Sequence, residues 1–369
     1  MRGGTPGTGG SEKQLYLLSR LLGHSGVRVK LLTPSPDLHG IQAVENVTQV
    51  RAWSGRLPLP LKVLEFFWKI LVSPSPIYFR GLSLANLAVA LIGRGVGKRI
   101  VVGLSSDLSS IRQPGRGANL VAFVILKASS QVIAQTQMQC DLLRKTFGVK
   151  AAVFCNVVGA EEYGPARKIG FRDRSIDVLW VGSIEPRKGL EKLVSVADLL
   201  PNVKFAVVGG QHPGKADYHD VMMNELAGRS NVDVEGFADP NVLPELMGRS
   251  KVLLHTSVTL REGLTKEGFP NVFLEAWLSD VCVVSLCVDP DGLLSSDGLG
   301  YKVNSVREAA DIAERLAKDE AEWRNNQEAA FEFARSRDAG SSEVRREFLS
   351  LLFGGSTAGE MTLESGRSE

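Results

Sequence analysis

The sequence predicts an α/β protein built from two doubly wound parallel sheets. Short apolar, β-branched runs alternate along the chain with stretches of helical periodicity, the pattern of strands covered on both faces by crossover helices. The 369 residues, 44% of them hydrophobic, can fill two sizeable cores without help from a metal or a disulfide. Charge divides the chain as well: residues 1–150 hold 19 Lys and Arg against 6 Asp and Glu, and residues 151–369 hold 24 against 35, so a net charge of +2 conceals halves of +13 and −11.

In the first half, Gly9-Gly10-Ser11-Glu12 opens a helix near Lys13–Leu22, and His24 occupies the turn before a strand at Val27–Thr33. A helix near Leu61–Val72 leads to strands at Ile77–Phe79 and Arg99–Gly103, then a helix near Ala118–Lys127 and a strand at Gln131–Ala134. Thr136 caps a helix near Met138–Phe147, and the strand Ala151–Phe154 closes the half at the Asn156 turn. After Asn156 the stretch VVGAEEYGPARKIGFRDRS is rich in turn and charged residues and reads as an interdomain linker.

The second half places strands at Asp177–Val181, Lys204–Val208, Val232–Glu235, Val252–His255 and Cys282–Ser285. Helices near Leu190–Leu200, Tyr218–Ala227, Pro240–Gly248, Asn271–Leu278 and Val306–Ala317 alternate with them. A helix ending near Ala334, a Gly/Ser break and a further amphipathic helix complete the ordered chain. The expected domains are 1–158 with a returning helix at about 336–353, and 159–335, followed by a polar, disordered tail from 354 to 369.

Composition narrows the function. Cys140, Cys155, Cys282 and Cys287 have no metal-site or redox spacing, which fits reduced thiols in a cytosol. The N-terminus lacks the apolar core of a signal peptide, and no run approaches the roughly 20 apolar residues of a membrane span. The basic residues of the first half are scattered, without the aromatic interleaving of nucleic-acid sites, so no nucleic-acid partner is expected. An anionic acceptor or an anionic membrane surface suits them better. Trp53, Phe66, Phe67 and Trp68 beside Lys62 and Lys69 form either a core helix or a segment that dips into such a surface.

The most telling stretch runs from Lys266 to Glu275. Pro270 suits a first helical position, which puts Glu267 in the loop ahead and Glu275 on the second turn. Helical side chains lean toward the N-terminus, so both carboxylates can reach that end. The backbone N–H groups from Asn271 onward, with the helix dipole, suit a diphosphate there. Carboxylates take sugar hydroxyls and the helix end takes phosphate, or the stretch is only an ordinary capped helix with Val272, Phe273, Ala276 and Trp277 facing a core.

EGFPNVFLEA resembles the Glu-x7-Glu motif of the retaining family 4 glycosyltransferases. That resemblance implies the GT-B fold, two Rossmann-like domains facing across a cleft. It implies that Glu275 binds the nucleotide ribose, that Glu267 lies against the donor sugar, and that Gly268, Phe269, Pro270, Asn271 and Val272 line sugar and phosphate. The turn Gly182-Ser183-Ile184-Glu185-Pro186-Arg187-Lys188-Gly189 is similar to the family's Gly-Arg-x-x-x-x-Lys-Gly loop, whose cations stabilise the leaving diphosphate. Lys188 and Gly189 match. Ser183 stands where the family has arginine, and Arg187 is the candidate substitute.

The Gly9-Gly10 pair resembles the family's Gly-Gly loop, so Gly10 is expected at the donor phosphate. Asp107, just past a strand, lies where relatives place a group near the acceptor. Two departures stand out. Asp280-Val281-Cys282-Val283-Val284 replaces the usual Gly-x-Pro-Val-Val, and the apolar strand that relatives carry ahead of the Gly-Gly loop is apparently missing.

The resemblance implies transfer of a hexose from a nucleoside-diphosphate sugar to a hydroxyl of a glycan or lipid-linked acceptor. Lys188, Arg187, Glu267 and Asp107 would be catalytic, with no metal and no further cofactor. Envelope or extracellular polysaccharide assembly, in the cytoplasm or peripherally at the inner face of the membrane, is the expected setting. A sugar-nucleotide epimerase, a phosphorylase on the same fold, or a truncated donor-binding remnant are the other readings of these residues.

Overall fold

The structure is a computed structural model that describes residues 9–33, 45–54, 58–237, 242–261, 264–265 and 267–355. It divides into two compact units, one formed by Thr8–Val157 with Ala339–Glu369 and the other by Val158–Asp338.

The first unit contains β1 (Val29–Thr33), β2 (Val47–Arg51), β3 (Ile77–Arg80), β4 (Ile100–Gly103), β5 (Gln131–Ala134) and β6 (Ala152–Val153). All pair in parallel, but in two sheets, β1–β2 and β3–β4–β5–β6, which no described strand joins. β4 is buried along its whole length. The helices Arg116–Ala128 and Gln137–Phe147 cover one side of the larger sheet, sealing Val102, Ile125, Val132 and Leu143. The helices Gly10–Gly23 and Ser342–Phe353 cover the other, where Leu17, Leu21, Val101, Ile133, Phe154 and Phe348 form a core.

Two elements differ from expectation. β2 is absent from the sequence reading because Val47-Thr-Gln-Val-Arg is a short, half-polar edge strand with little apolar signal. The helix Leu84–Gly95 is also missed, because LANLAVALIGRG is apolar on most faces and shows no clean period. Ser83 nonetheless starts it, its hydroxyl accepting from the Asn86 N–H.

The second unit holds a six-stranded parallel sheet of β7 (Ile176–Val181), β8 (Phe205–Val208), β9 (Val232–Gly236), β10 (Ser250–His255), β13 (Cys282–Ser285) and β14 (Tyr301–Lys302), in the order β14–β13–β10–β7–β8–β9. A small antiparallel hairpin, β11 (Thr259–Arg261) with β12 (Leu264–Thr265), projects after β10. Along one side of the sheet Trp180, Leu193, Phe205, Val207, Val284 and Leu316 pack in one cluster. On the helix Asn271–Leu278, Phe273 stands edge-on to His255 and beside Trp277.

The stretch read as a linker is instead part of this unit. It forms a short helix, Ala160–Tyr163, and two 3-10 turns, and it buries Tyr163, Ala166 and Phe171. Its charged residues hide a sparse set of apolar anchors without helical or strand period. The helix expected from Pro240 runs Leu243–Gly248, with Pro240 outside the described residues. The tail from 356 also lies outside them, as do Met1–Thr8 and Lys266.

Candidate active site

The site is built on the carboxyl ends of β7 and β10, which lie side by side at the middle of the second unit's sheet. This is where parallel α/β sheets present loops to ligands. Beyond β7 the chain turns through Gly182 and Ser183 into a 3-10 turn at Pro186–Lys188, and Gly189 then enters the helix Leu190–Leu199. Gly189 has φ +63°, and a Cβ on it would stand 2.4 Å from the Thr256 carbonyl oxygen, so no side chain fits. Thr256 clamps the same turn by donating its hydroxyl to the Lys188 carbonyl at 2.7 Å, while it accepts from Trp180 Nε1 at 2.8 Å. Gly209 permits an even closer approach, since a Cβ there would lie 1.8 Å from the Gly182 carbonyl oxygen.

These contacts aim two cations at one carboxylate. Lys188 Nζ lies 2.8 Å and Arg187 Nη1 2.9 Å from the same Glu267 oxygen, Oε1. Arg187 Nη2 also reaches Glu185 Oε1 at 2.7 Å, and Ser183 donates to that oxygen at 2.6 Å. Arg187 is thus held between two carboxylates. Burial works to raise the Glu267 carboxyl, but Lys188 and the other positive groups around it prevail and hold it down at about 2.

Behind Glu267 stands a neutral histidine. His255, at the end of β10, is 5% exposed, and burial, helped by Lys188, lowers its imidazole to about 3. Its Nε2 meets Ser257 Oγ at 3.2 Å and its Nδ1 meets Ser285 Oγ at 3.4 Å. Ser257 Oγ in turn lies 3.3 Å from Glu267 Oε1. The Nε2–H tautomer satisfies this chain, with Ser257 accepting from histidine and donating to the carboxylate.

Glu267 precedes the helix Asn271–Leu278. Gly268, Phe269 and Pro270 are buried in the connection, and Asn271 and Val272 supply the first helical N–H groups. Pro270 stands one position earlier than the sequence implies: its ψ of 124° makes it the residue that precedes the helix. Glu275, 4% exposed, accepts a hydrogen bond from the Tyr163 hydroxyl, which burial and this carboxylate push far above the ordinary tyrosine range.

Ser183, Arg187, Lys188 and Glu267 therefore form one polar network, with Gly182 packed beside Trp180 and Lys188. Gly10 and Asp107 belong to the other unit. Gly10 is the first residue of its first helix, and Asp107 begins a 3-10 turn after β4, 6% exposed, where its Oδ1 accepts from Gln139 Nε2 at 2.8 Å. Sequence reasoning missed Glu185, Ser257, Thr256 and Tyr163 as partners of the site. Polar residues directly after an apolar strand mark Thr256 and Ser257, but nothing in the sequence pairs Tyr163 with Glu275.

Residues 166–333 match the family model described as glycosyl transferases group 1. Among solved structures, HepE of Anabaena, crystallised with UDP and glucose, superposes with a TM-score of 0.71 at 18% identity over 94% of this chain and 97% of that one. Sucrose-phosphate synthase of Thermosynechococcus elongatus gives 0.71 at 17% identity over 93% and 92%. A glycosyltransferase of Rickettsia africae gives 0.70 at 14% identity over 96% of each chain. No curated protein sequence matches the chain significantly. Fold and family match define the class: the chain has the GT-B fold of these glycosyltransferases, and residues 166–333 of its second unit match the group 1 glycosyltransferases.

Proposed function

We propose that the protein is a retaining hexosyltransferase that carries a sugar from a nucleoside diphosphate to a hydroxyl of a glycan or lipid-linked acceptor, as family 4 enzymes with the Glu-x7-Glu motif do. One observation carries the reading: Lys188 and Arg187 converge on a single oxygen of Glu267 at the mouth of β7 and β10. Two cations held on one anionic oxygen are positioned to exchange it for a diphosphate. They would neutralise the charge that grows on the leaving nucleotide as the glycosidic bond breaks, without a metal ion. The N–H groups of Asn271 and Val272 would add to that stabilisation.

Glu267 would then face the sugar, orient its hydroxyls and stabilise positive character at the anomeric carbon. Glu275, oriented by Tyr163, would take the ribose. The acceptor hydroxyl enters on the face that the nucleotide leaves, which preserves the anomeric configuration. Structures of the similar HepE hold UDP and UDP-glucose, so a UDP-sugar is the first donor to test.

The first unit would take the acceptor, with Asp107 near its hydroxyl. We also assign it a peripheral contact with an anionic membrane. The helix Leu59–Val72 leaves Leu59, Leu61, Leu64 and Trp68 exposed, and Leu84, Leu91, Leu120 and Phe123 are exposed on the two helices that follow. Residues 58–130 carry nine Lys or Arg against two carboxylates, one of which, Asp107, is buried. Apolar side chains among basic ones fit the headgroup region of anionic lipids. No helix among the described residues is long and apolar enough to cross a membrane.

Proton NMR of the product tests the reaction. Incubation with a UDP-sugar in EDTA should release UDP and give a glycoside, or slowly a free sugar, with the anomeric configuration of the donor. An isomerised nucleotide sugar would indicate an epimerase, and a sugar phosphate formed from inorganic phosphate would indicate a phosphorylase.

A further inference from the structure

The first unit contains a half-buried cation that no described carboxylate neutralises. Arg80 is the last residue of β3, at the carboxyl edge of its sheet, and the chain turns away at Gly81 with φ +89°. Its guanidinium donates through Nη2 alone, to the Leu104 carbonyl at 3.1 Å and to Asn156 Oδ1 at 3.2 Å. Its Nε is buried without a partner. Ser106, two residues past Leu104 in the loop after the neighbouring strand β4, likewise buries its hydroxyl oxygen without a partner.

The groups around Arg80 are rigidly tied. Gln135 donates to the same Asn156 oxygen at 2.7 Å, and its own backbone N–H donates to Gln139 Oε1 at 2.9 Å. Gln139 then reaches Asp107 at 2.8 Å. Asn156, Gln135, Gln139 and Asp107 are each at least nine-tenths buried. A guanidinium fixed through one nitrogen, with a second N–H unmet, is organised for a further acceptor. A buried unmet donor is unfavourable unless something completes it. Arginine in such a position selects carboxylate or phosphate oxygens.

We propose that Arg80 and Ser106 form an anion subsite that anchors a carboxylate or phosphate group of the acceptor. The inference deepens the transferase reading and rests on it for the word acceptor, but the subsite itself is tested separately. An acceptor held here carries a negative group, as in a uronic acid or a sugar or polyol phosphate, and Asp107, tied to Arg80 through the buried amides, lies in the same polar cluster.

Calorimetric titration of the full chain with methyl glucuronide, glycerol 3-phosphate and neutral methyl glucoside tests this. Wild type should bind one of the anions at least about tenfold more tightly than the glucoside, and the anion preferred identifies carboxylate or phosphate as the source. Arg80→Gln should abolish the preference, Arg80→Lys should keep part of it, and all should bind UDP as wild type does. Ser106→Ala covers the case in which Arg80 variants misfold. Its hydroxyl has no protein partner, so a merely structural role predicts no loss, whereas the subsite predicts anion binding weakened several-fold. Anions that bind no better than glucoside, or equally to wild type and both Gln and Ala variants, overturn the proposal. Anion preference without binding of UDP, GDP or ADP would instead sink the transferase reading and leave the subsite standing.

Discussion

Lys188 Nζ lies 2.8 Å from Glu267 Oε1, across 79 positions of sequence, and Arg187 reaches the same oxygen at 2.9 Å. Under the proposed transferase function, the carboxylate and a diphosphate compete for the same two cations. On that proposal, binding and catalysis place opposite demands on Glu267.

Replacing Glu267 with Gln should separate those demands. The amide frees Lys188 and leaves Arg187 paired with Glu185 alone, so UDP binds as tightly as to wild type or up to about tenfold tighter. Turnover of the nucleotide sugar falls by about 100-fold or more, because charge at the reacting carbon loses its partner. Without nucleotide the variant also melts lower, since Lys188 loses its counter-charge and Arg187 keeps only Glu185, and UDP restores the melting temperature. Calorimetry, nucleotide release and thermal shift check the three effects.

Gly189→Ala should damage both fold and site. The left-handed backbone and the 2.4 Å approach of Thr256 leave no room for a methyl group, so the cost is about 2 kcal/mol or more in urea unfolding. Lys188, the preceding residue, moves with the turn, and UDP binding weakens in any variant that still folds.

Acid should unfold the second unit through His255 before it does so through Glu267. His255 has a folded value near 3 against an ordinary 6.5, so its contribution is fully present above pH 6.5 and is lost as pH falls from there toward 3. Glu267, near 2 against 4.5, contributes above pH 4.5 and is lost below it. Each group alone gives a slope of at most about 1.4 kcal/mol per pH unit. Urea midpoints from pH 8 to 4 should decline below pH 6.5 in wild type and flatten between 6.5 and 4.5 in His255→Asn.

Membrane contact through the helix Leu59–Val72 predicts co-sedimentation with phosphatidylglycerol vesicles and little with phosphatidylcholine vesicles. Leu64→Glu with Trp68→Glu, at side chains 63% and 64% exposed, should abolish it without lowering thermal stability. Binding that is equal for both lipids, or unchanged in the double variant, would remove the assignment.

Much of this protein is legible in its sequence. Gln131–Ala134 and Cys282–Ser285 are read to the residue, because continuous apolar runs between turn signals leave one interpretation. The stretches carrying Lys188 and Glu267 are equally visible. Their meeting is not, because it depends on β7 and β10 lying side by side while the chain order separates them by β8 and β9. The partners of that pair follow the same rule: Thr256 is a plain polar residue until Gly189 is brought against it, and Tyr163 belongs to a stretch that reads as linker. β2 and the helix Leu84–Gly95 escape for the opposite reason, one too polar and one too uniformly apolar to show a period.

The central claim is that this network binds the diphosphate of a nucleotide sugar, and titration of UDP into wild type, Lys188→Met and Glu275→Ala in EDTA tests it most directly. The account predicts saturable binding to wild type, a loss of about 30-fold or more in Lys188→Met, and a comparable loss in Glu275→Ala when uridine replaces UDP as the probe. Equal affinity of wild type and Lys188→Met for UDP would contradict it.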